Sequence, residues 1–278
     1  MDFRKTYYIL PNLFTLSSVM CGFVSIALSA SAQQSGSDLY QAALAICFGF
    51  FFDTADGRVA RLTKTQTDLG RDLDSLADGI TFGVAPALMV YKWGLTSFGR
   101  LGIFVAGLFV CAGVMRLARF NVLSRREESA AGQKAPGKYT VGLSIPPAAS
   151  VLVFLVIAAH NLGRYRMVSD SVLAAVVVVL SYLMVSRIKF RSFKDLRFNR
   201  RTVEMAILIV VCWLLVALNG VDKALIFLVL ITAYILLGLA ETLLIMRRQF
   251  LTKRREKNQP PDDLGDDDVL RELGAFDP

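Results

Sequence analysis

Runs of about twenty apolar residues, separated by short polar or basic connections, dominate the chain. They fall at 11–32, 40–62, 71–93, 98–121, 140–161, 168–188, 203–219 and 223–246. A helix rises about 1.5 Å per residue, so each run is long enough to cross or nearly cross a hydrocarbon layer about 30 Å thick. Backbone polar groups have no partners in lipid, so such runs must close their hydrogen bonds internally. The pattern therefore predicts an all-α, polytopic membrane helix bundle of about eight transmembrane helices, an even count that leaves both termini on one side. The opening MDFRKTYYIL mixes charge with aromatics, as an interfacial helix does. The first run lacks a small-residue cleavage site, so it reads as an anchored helix rather than a signal peptide.

Composition agrees: 54% of the 278 residues are hydrophobic, with a mean hydropathy of +0.50, too apolar for an ordinary soluble domain. The distribution of Lys and Arg then orients the bundle. Only Lys92, Arg100, Arg164, Arg166 and Lys223 fall on one side, and the other 26 of the 31 basic residues fall on the side of the termini. By the positive-inside rule the termini face the cytoplasm, which places the protein in a cytoplasmic (inner) membrane. The net charge of +8 does not point to nucleic acid, because these charges flank membrane spans; topology and anionic headgroups account for most of them.

Cys21, Cys47, Cys111 and Cys212 all fall within spans and show no CxxC spacing, so they support neither a zinc site nor a disulfide framework. The single histidine, His160, lies near the non-cytoplasmic end of its span, far from the acids described next. After about residue 250 the composition turns basic, then Pro/Asp-rich. The expected organisation is a membrane domain over 1–250 and a cytoplasmic, largely disordered tail over 251–278.

The second and third runs contain what apolar helices exclude. In FFDTADGRVARLTKTQTDLGRDLDSLADGI, Asp53 and Asp56 share one helical face, and Asp74 and Asp78 share a face of the next helix. One Asp at a helix centre costs about 2.5–3.5 kcal/mol on insertion scales, so four must face a cavity or be compensated. Anions cannot compensate one another. Protons or hard divalent cations must lie between them, and oxygen ligands suit Mg²⁺ or Mn²⁺. Gly57 and Ala60 leave the neighbouring surface bare enough for a ligand to approach the backbone, and Arg61, one turn beyond Gly57, offers a guanidinium suited to phosphate. Small residues, cation and acids together describe a metal-bound diphosphate, although Gly and Ala in a membrane helix also serve plain helix packing. Asp68 and Asp72 lie outside this spacing; Asp72 reads as a partner of the helix dipole.

The pattern D-x2-D-G-x2-A-R-x8-G-x3-D-x3-D resembles the signature of the CDP-alcohol phosphatidyltransferases, membrane enzymes that move a phosphatidyl group from CDP-diacylglycerol to an alcohol. The resemblance implies a common core of six helices, two extra spans here, and homodimerisation. It implies Asp53, Asp56 and Asp74 as ligands of two divalent cations, Mg²⁺ or Mn²⁺. Asp78 would be the catalytic base, with a metal-ligand role left open beside it. Gly57, Ala60 and Arg61 would line the CDP pocket together with Asp56, and Gly70 would ease the turn into the next helix. An aspartate of ordinary acidity is a weak base for an alcohol, so its surroundings must supply much of the activation.

Three further stretches, YYILPNLFTLSSVMCGFVSI, RLARFNV at 116–122 and LMVSRIKFRSFKDL at 183–196, resemble the integral-membrane phosphatidylserine synthases of bacteria and archaea. So does YTVGLSIPPAA from Tyr139, although Ser144 stands where proline is expected, a departure that bears on a helix entrance rather than on chemistry. The resemblance implies L-serine as acceptor. Serine brings a carboxylate that needs a cation: Arg116 and Arg119, three residues apart with Asn121 just beyond, are candidates for it or for a lipid phosphate, as are Arg191, Lys194 and Arg197. Positive-inside charge explains the same residues nearly as well. Glycerol 3-phosphate or an inositol derivative would also want basic residues. Outside this family, a divalent-cation transporter accounts for the acids but not for Gly57, Ala60 and Arg61, and a membrane scaffold predicts that Asp74→Asn and Asp78→Asn leave function intact.

Overall fold

The computed structural model describes residues 3–32, 36–63, 67–129, 139–163, 168–186, 188–191, 224–233 and 235. The apolar runs become helices. α1 (Phe3–Ser31) and α2 (Gly36–Thr63) pack along each other. After the connection comes α3 (Asp68–Asp78), started by Thr67, whose hydroxyl accepts from Gly70 N at 3.0 Å.

The expected 71–93 span is one continuous stretch from Asp68 to Trp93, but not one uniform α-helix. Between α3 and α4 (Ala85–Trp93) the chain widens into a π-helical turn, Gly79–Val84. Pro86, at the head of α4, has no N–H for the ladder, and a wider turn ahead of it accommodates the missing bond. A 3₁₀ turn, Leu95–Phe98, leads into α5 (Arg100–Ser129).

The expected 140–161 span starts later than its apolar run. Tyr139–Val141 is a strand, β1, paired antiparallel with β2 (Lys189–Arg191). α6 covers only Ile145–Asn161, because Pro146 and Pro147 fit a first helical turn and not an interior. α7 is Asp170–Val185. The architecture is thus all-α, as expected, with one short two-stranded ribbon beside the helices. A further apolar helix lies at Ala224–Ala233. The 203–219 run, most of 223–246 and the tail fall outside the described residues.

Among the described residues, three helical stretches, Pro11–Ser31, Asp68–Trp93 and Arg100–Arg125, are long and apolar enough to cross a membrane. α6 is the central element: Ala148, Ala149, Leu152 and Val153 are fully buried. It packs on α2, α4 and α7. Outward faces of α1, α2 and α5 expose large apolar side chains, among them Phe23, Phe48, Phe51 and Phe104, as a lipid-facing surface does.

α1, α2 and the π-turn meet at Thr81. Its Oγ1 donates to Ser18 O at 2.9 Å. A Cβ on Gly22 would lie 2.8 Å from Thr81 Oγ1, and one on Gly49 would lie 2.6 Å from Thr81 Cγ2. The two glycines let three backbones converge one turn away from Asp78.

Candidate active site

The convergence at Thr81 brings α2 and α3 side by side with their acids facing. Oxygen atoms of Asp53, Asp56 and Asp74 all lie within 4.8 Å of one another. A divalent cation bound at about 2.1–2.5 Å from each ligand spans such a triangle. Carboxylates this close cannot all carry charge without a cation among them. Asp78 stands beside this triangle rather than within it. Asp53, Asp74 and Arg116 are the charges that reach it, and its Oδ1 is buried with no partner. The donor set therefore fits hard divalent ions, and an unpartnered carboxylate oxygen lies next to it.

Asp56 is the most enclosed of the three. Thr15 Oγ1, on α1, lies 2.6 Å from Asp56 Oδ2 and fixes that carboxylate. Thr15 was not anticipated as part of the site, although Thr15, Ser18, Gly22, Ser25 and Ser29 recur at helical spacing in an apolar run and mark one polar face. All five are buried.

The other anticipated residues divide between two sides. Gly57 is exposed, and a Cβ built on it would meet nothing within 4 Å, so the surface beside the acids is open as expected. Ala60 is half-buried on the same helix. Arg61 is exposed, and its Nε donates to Gly57 O at 2.8 Å. Gly70 forms part of the Thr67 cap rather than a free turn.

Arg116 lies on the opposite side. Only 8% exposed, it reaches Asp78 electrostatically, packs its guanidinium 5.1 Å over the Phe120 ring, and donates from Nη2 to Ser144 Oγ at 2.9 Å. Its neighbour Arg119 turns away, with Nη1 3.4 Å from Val185 O at the end of α7, where a cation meets the negative end of a helix. Arg191 lies in β2, and Lys194 and Arg197 fall outside the described residues.

Two contacts tie α3 to α5. Asn121 Nδ2 donates to Ser75 Oγ at 2.9 Å, and Arg125 pairs with Asp72 at 2.5 Å. Asp72 is therefore an ion-pair partner rather than the helix-dipole charge expected of it; Asp68 is the acid in the first turn of α3. Ser144 is also more than a helix-entrance residue, because its hydroxyl belongs to the Arg116 environment.

The sequence model of the family described as CDP-alcohol phosphatidyltransferase matches residues 8–183. A CDP-diacylglycerol–serine O-phosphatidyltransferase of Helicobacter pylori (strain 26695) is 33% identical over 248 residues, 89% of this chain and 97% of its own. The enzyme of the same name from Bacillus subtilis is 35% identical over 185 residues, 66% of this chain and 91% of its own. An archaetidylserine synthase of Methanothermobacter thermautotrophicus is 34% identical over 193 residues, 68% of this chain and 72% of its own.

Proposed function

This chain belongs to the CDP-alcohol phosphatidyltransferase family, and from that premise we propose that it is a CDP-diacylglycerol–serine O-phosphatidyltransferase. It transfers the phosphatidyl group of CDP-diacylglycerol to the hydroxyl of L-serine, giving phosphatidylserine and CMP. The observation that carries the reading is the juxtaposition of Asp53, Asp56 and Asp74 across two helices, with Asp78 beside them, in a chain whose relatives bear serine in their names.

In the reaction the serine hydroxyl oxygen attacks the phosphorus that bears the diacylglycerol group. A P–O bond to it forms, the bond to the bridging oxygen of CMP breaks, and the hydroxyl proton is taken up. Asp78 is the residue assigned to that proton: its Oδ1 is buried and unpartnered, so a lone pair is available to a hydroxyl brought against it. Asp53, Asp56 and Asp74 would hold divalent cations, Mg²⁺ or Mn²⁺ and two in number, with Asp78 available as a further ligand. Such ions neutralise diphosphate oxygens and stabilise the departing CMP. Thr15 keeps Asp56 in one orientation by donating to it. The open surface at Gly57 and Ala60 admits the cytidine diphosphate, Arg61 meets its phosphates, and Arg116 is assigned to the acceptor carboxylate or the lipid phosphate, whereas Arg119, turned to Val185 O, is not.

For the whole chain the reading is eight spans built on a six-helix family core within 1–250, a cytoplasmic tail over 251–278, and a homodimer in the bilayer. Lys and Arg asymmetry supports the termini and the active site facing the cytoplasm, with the protein in the inner membrane. CDP-diacylglycerol and serine would both be met there.

The test is transfer of labelled L-serine to lipid by the purified protein with CDP-diacylglycerol and Mn²⁺ or Mg²⁺, with CMP counted, beside Asp78→Asn and a glycerol 3-phosphate arm. Phosphatidylserine formation, lost in Asp78→Asn and on chelation, is the expected result. CMP release with glycerol 3-phosphate alone would overturn the acceptor, and failure with every alcohol would overturn the enzyme.

A further inference from the structure

Ser144 occupies the N-cap position of α6 with extended backbone, φ −67° and ψ 149°, yet its side chain makes no capping hydrogen bond. An N-cap serine ordinarily accepts from the N–H of the second or third helical residue. Here those residues are Pro146 and Pro147, which have no N–H. The hydroxyl is released from its usual task, and it accepts instead from Nη2 of Arg116 at 2.9 Å.

That contact has a particular consequence for Arg116. The guanidinium is fixed on one face by the Phe120 ring and at one terminal nitrogen by Ser144. Its Nε is buried and has no partner. A planar guanidinium donates in parallel from Nε and a terminal nitrogen to the two oxygens of a carboxylate. A buried arginine donor left open beside Asp78 is incomplete until an acceptor arrives.

Resting on the serine reading above, we infer that Ser144 is a positioning residue for acceptor recognition. By holding Arg116 from α6, it aims the open Nε edge of the guanidinium at the carboxylate of an α-amino-acid acceptor placed next to Asp78. The chemical class this arrangement selects is an alcohol bearing a carboxylate.

Steady-state kinetics on the full chain in detergent–lipid micelles, comparing wild type with Ser144→Ala and Ser144→Thr, tests the inference. Ser144→Ala is expected to raise the KM for L-serine about tenfold, the size of one hydrogen bond to a charged group. The KM for CDP-diacylglycerol should stay within about twofold, since only acceptor binding is affected. Ser144→Thr keeps the hydroxyl and is expected to restore the serine KM. An unchanged serine KM in Ser144→Ala, both KM values rising together, or a threonine variant that behaves as alanine does would each overturn the inference. A wild-type protein that makes no phosphatidylserine would instead overturn the proposed function on which it rests.

Discussion

Thr15 has two acceptors within reach, Asp56 Oδ2 at 2.6 Å and Pro11 O at 3.2 Å, and a single proton to give. The shorter contact to the carboxylate takes it. Thr15→Val keeps the shape and removes the donor, so the apparent Mn²⁺ affinity is expected to fall about tenfold or more, as it does when a hydrogen bond to a ligating carboxylate is lost. Titration of Mn²⁺ against CMP release measures this, and Thr15→Ser should behave as wild type. Gly49 offers a separate test of packing. Gly49→Ala would drive a methyl against Thr81 Cγ2 and is expected to cost about 1–3 kcal/mol by overpacking. Thr81→Ser deletes the opposing methyl, so the double variant should recover most of the lost melting temperature. The four acids were legible at this scale because offsets of three and four fix a helical face. Ser144 was not, because the missing proline reads locally as a helix entrance, and only the packing of α5 against α6 brings Arg116 to it.

α3 depends on its neighbour α5. The Asn121–Ser75 contact is half-buried, whereas Arg125 and Asp72 are 62% and 50% exposed. Exposed ion pairs are worth about 0–1 kcal/mol, so Arg125→Ala should scarcely move thermal unfolding. Asn121→Ala leaves Ser75 without its donor one residue from Asp74. A loss of about 1 kcal/mol or more, typical of a broken hydrogen bond in a half-buried setting, is expected there. Paired unfolding curves in one detergent separate the two. Long elements were readable from apolar run length: α2 matches its expected span to within about a turn, while α1 begins eight residues before 11 and α5 runs eight residues past 121. Breaks inside the runs were not. Hydropathy does not distinguish a π-turn from an α-turn, so Gly79–Val84 passed for ordinary span. The run 140–161 takes in Thr140 and Val141 of the strand, although Pro146 and Pro147 fix the start of α6 beyond them.

Across the molecule, the charge asymmetry of the loops was readable because bilayer insertion acts on composition, whereas pairing between distant elements, such as β1 with β2, leaves no mark in either segment alone. The acidic end of the chain is set apart from the membrane runs by composition, so a protein truncated after residue 250 is expected to keep serine transfer within about twofold of the full chain, as removal of a segment outside the site should. Labelled-serine assays on both forms check it. The triangle of Asp53, Asp56 and Asp74 has a thermodynamic side as well. Its corners belong to two helices, α2 and α3, so the site exists only while those helices are docked. An ion that binds the docked state alone adds RT ln(1 + [L]/Kd) to its stability, about 2.7 kcal/mol at a hundred times Kd. Divalent cation and heat would then act as opposing variables on one equilibrium: the melting temperature should climb with the logarithm of Mn²⁺ concentration even with no substrate present.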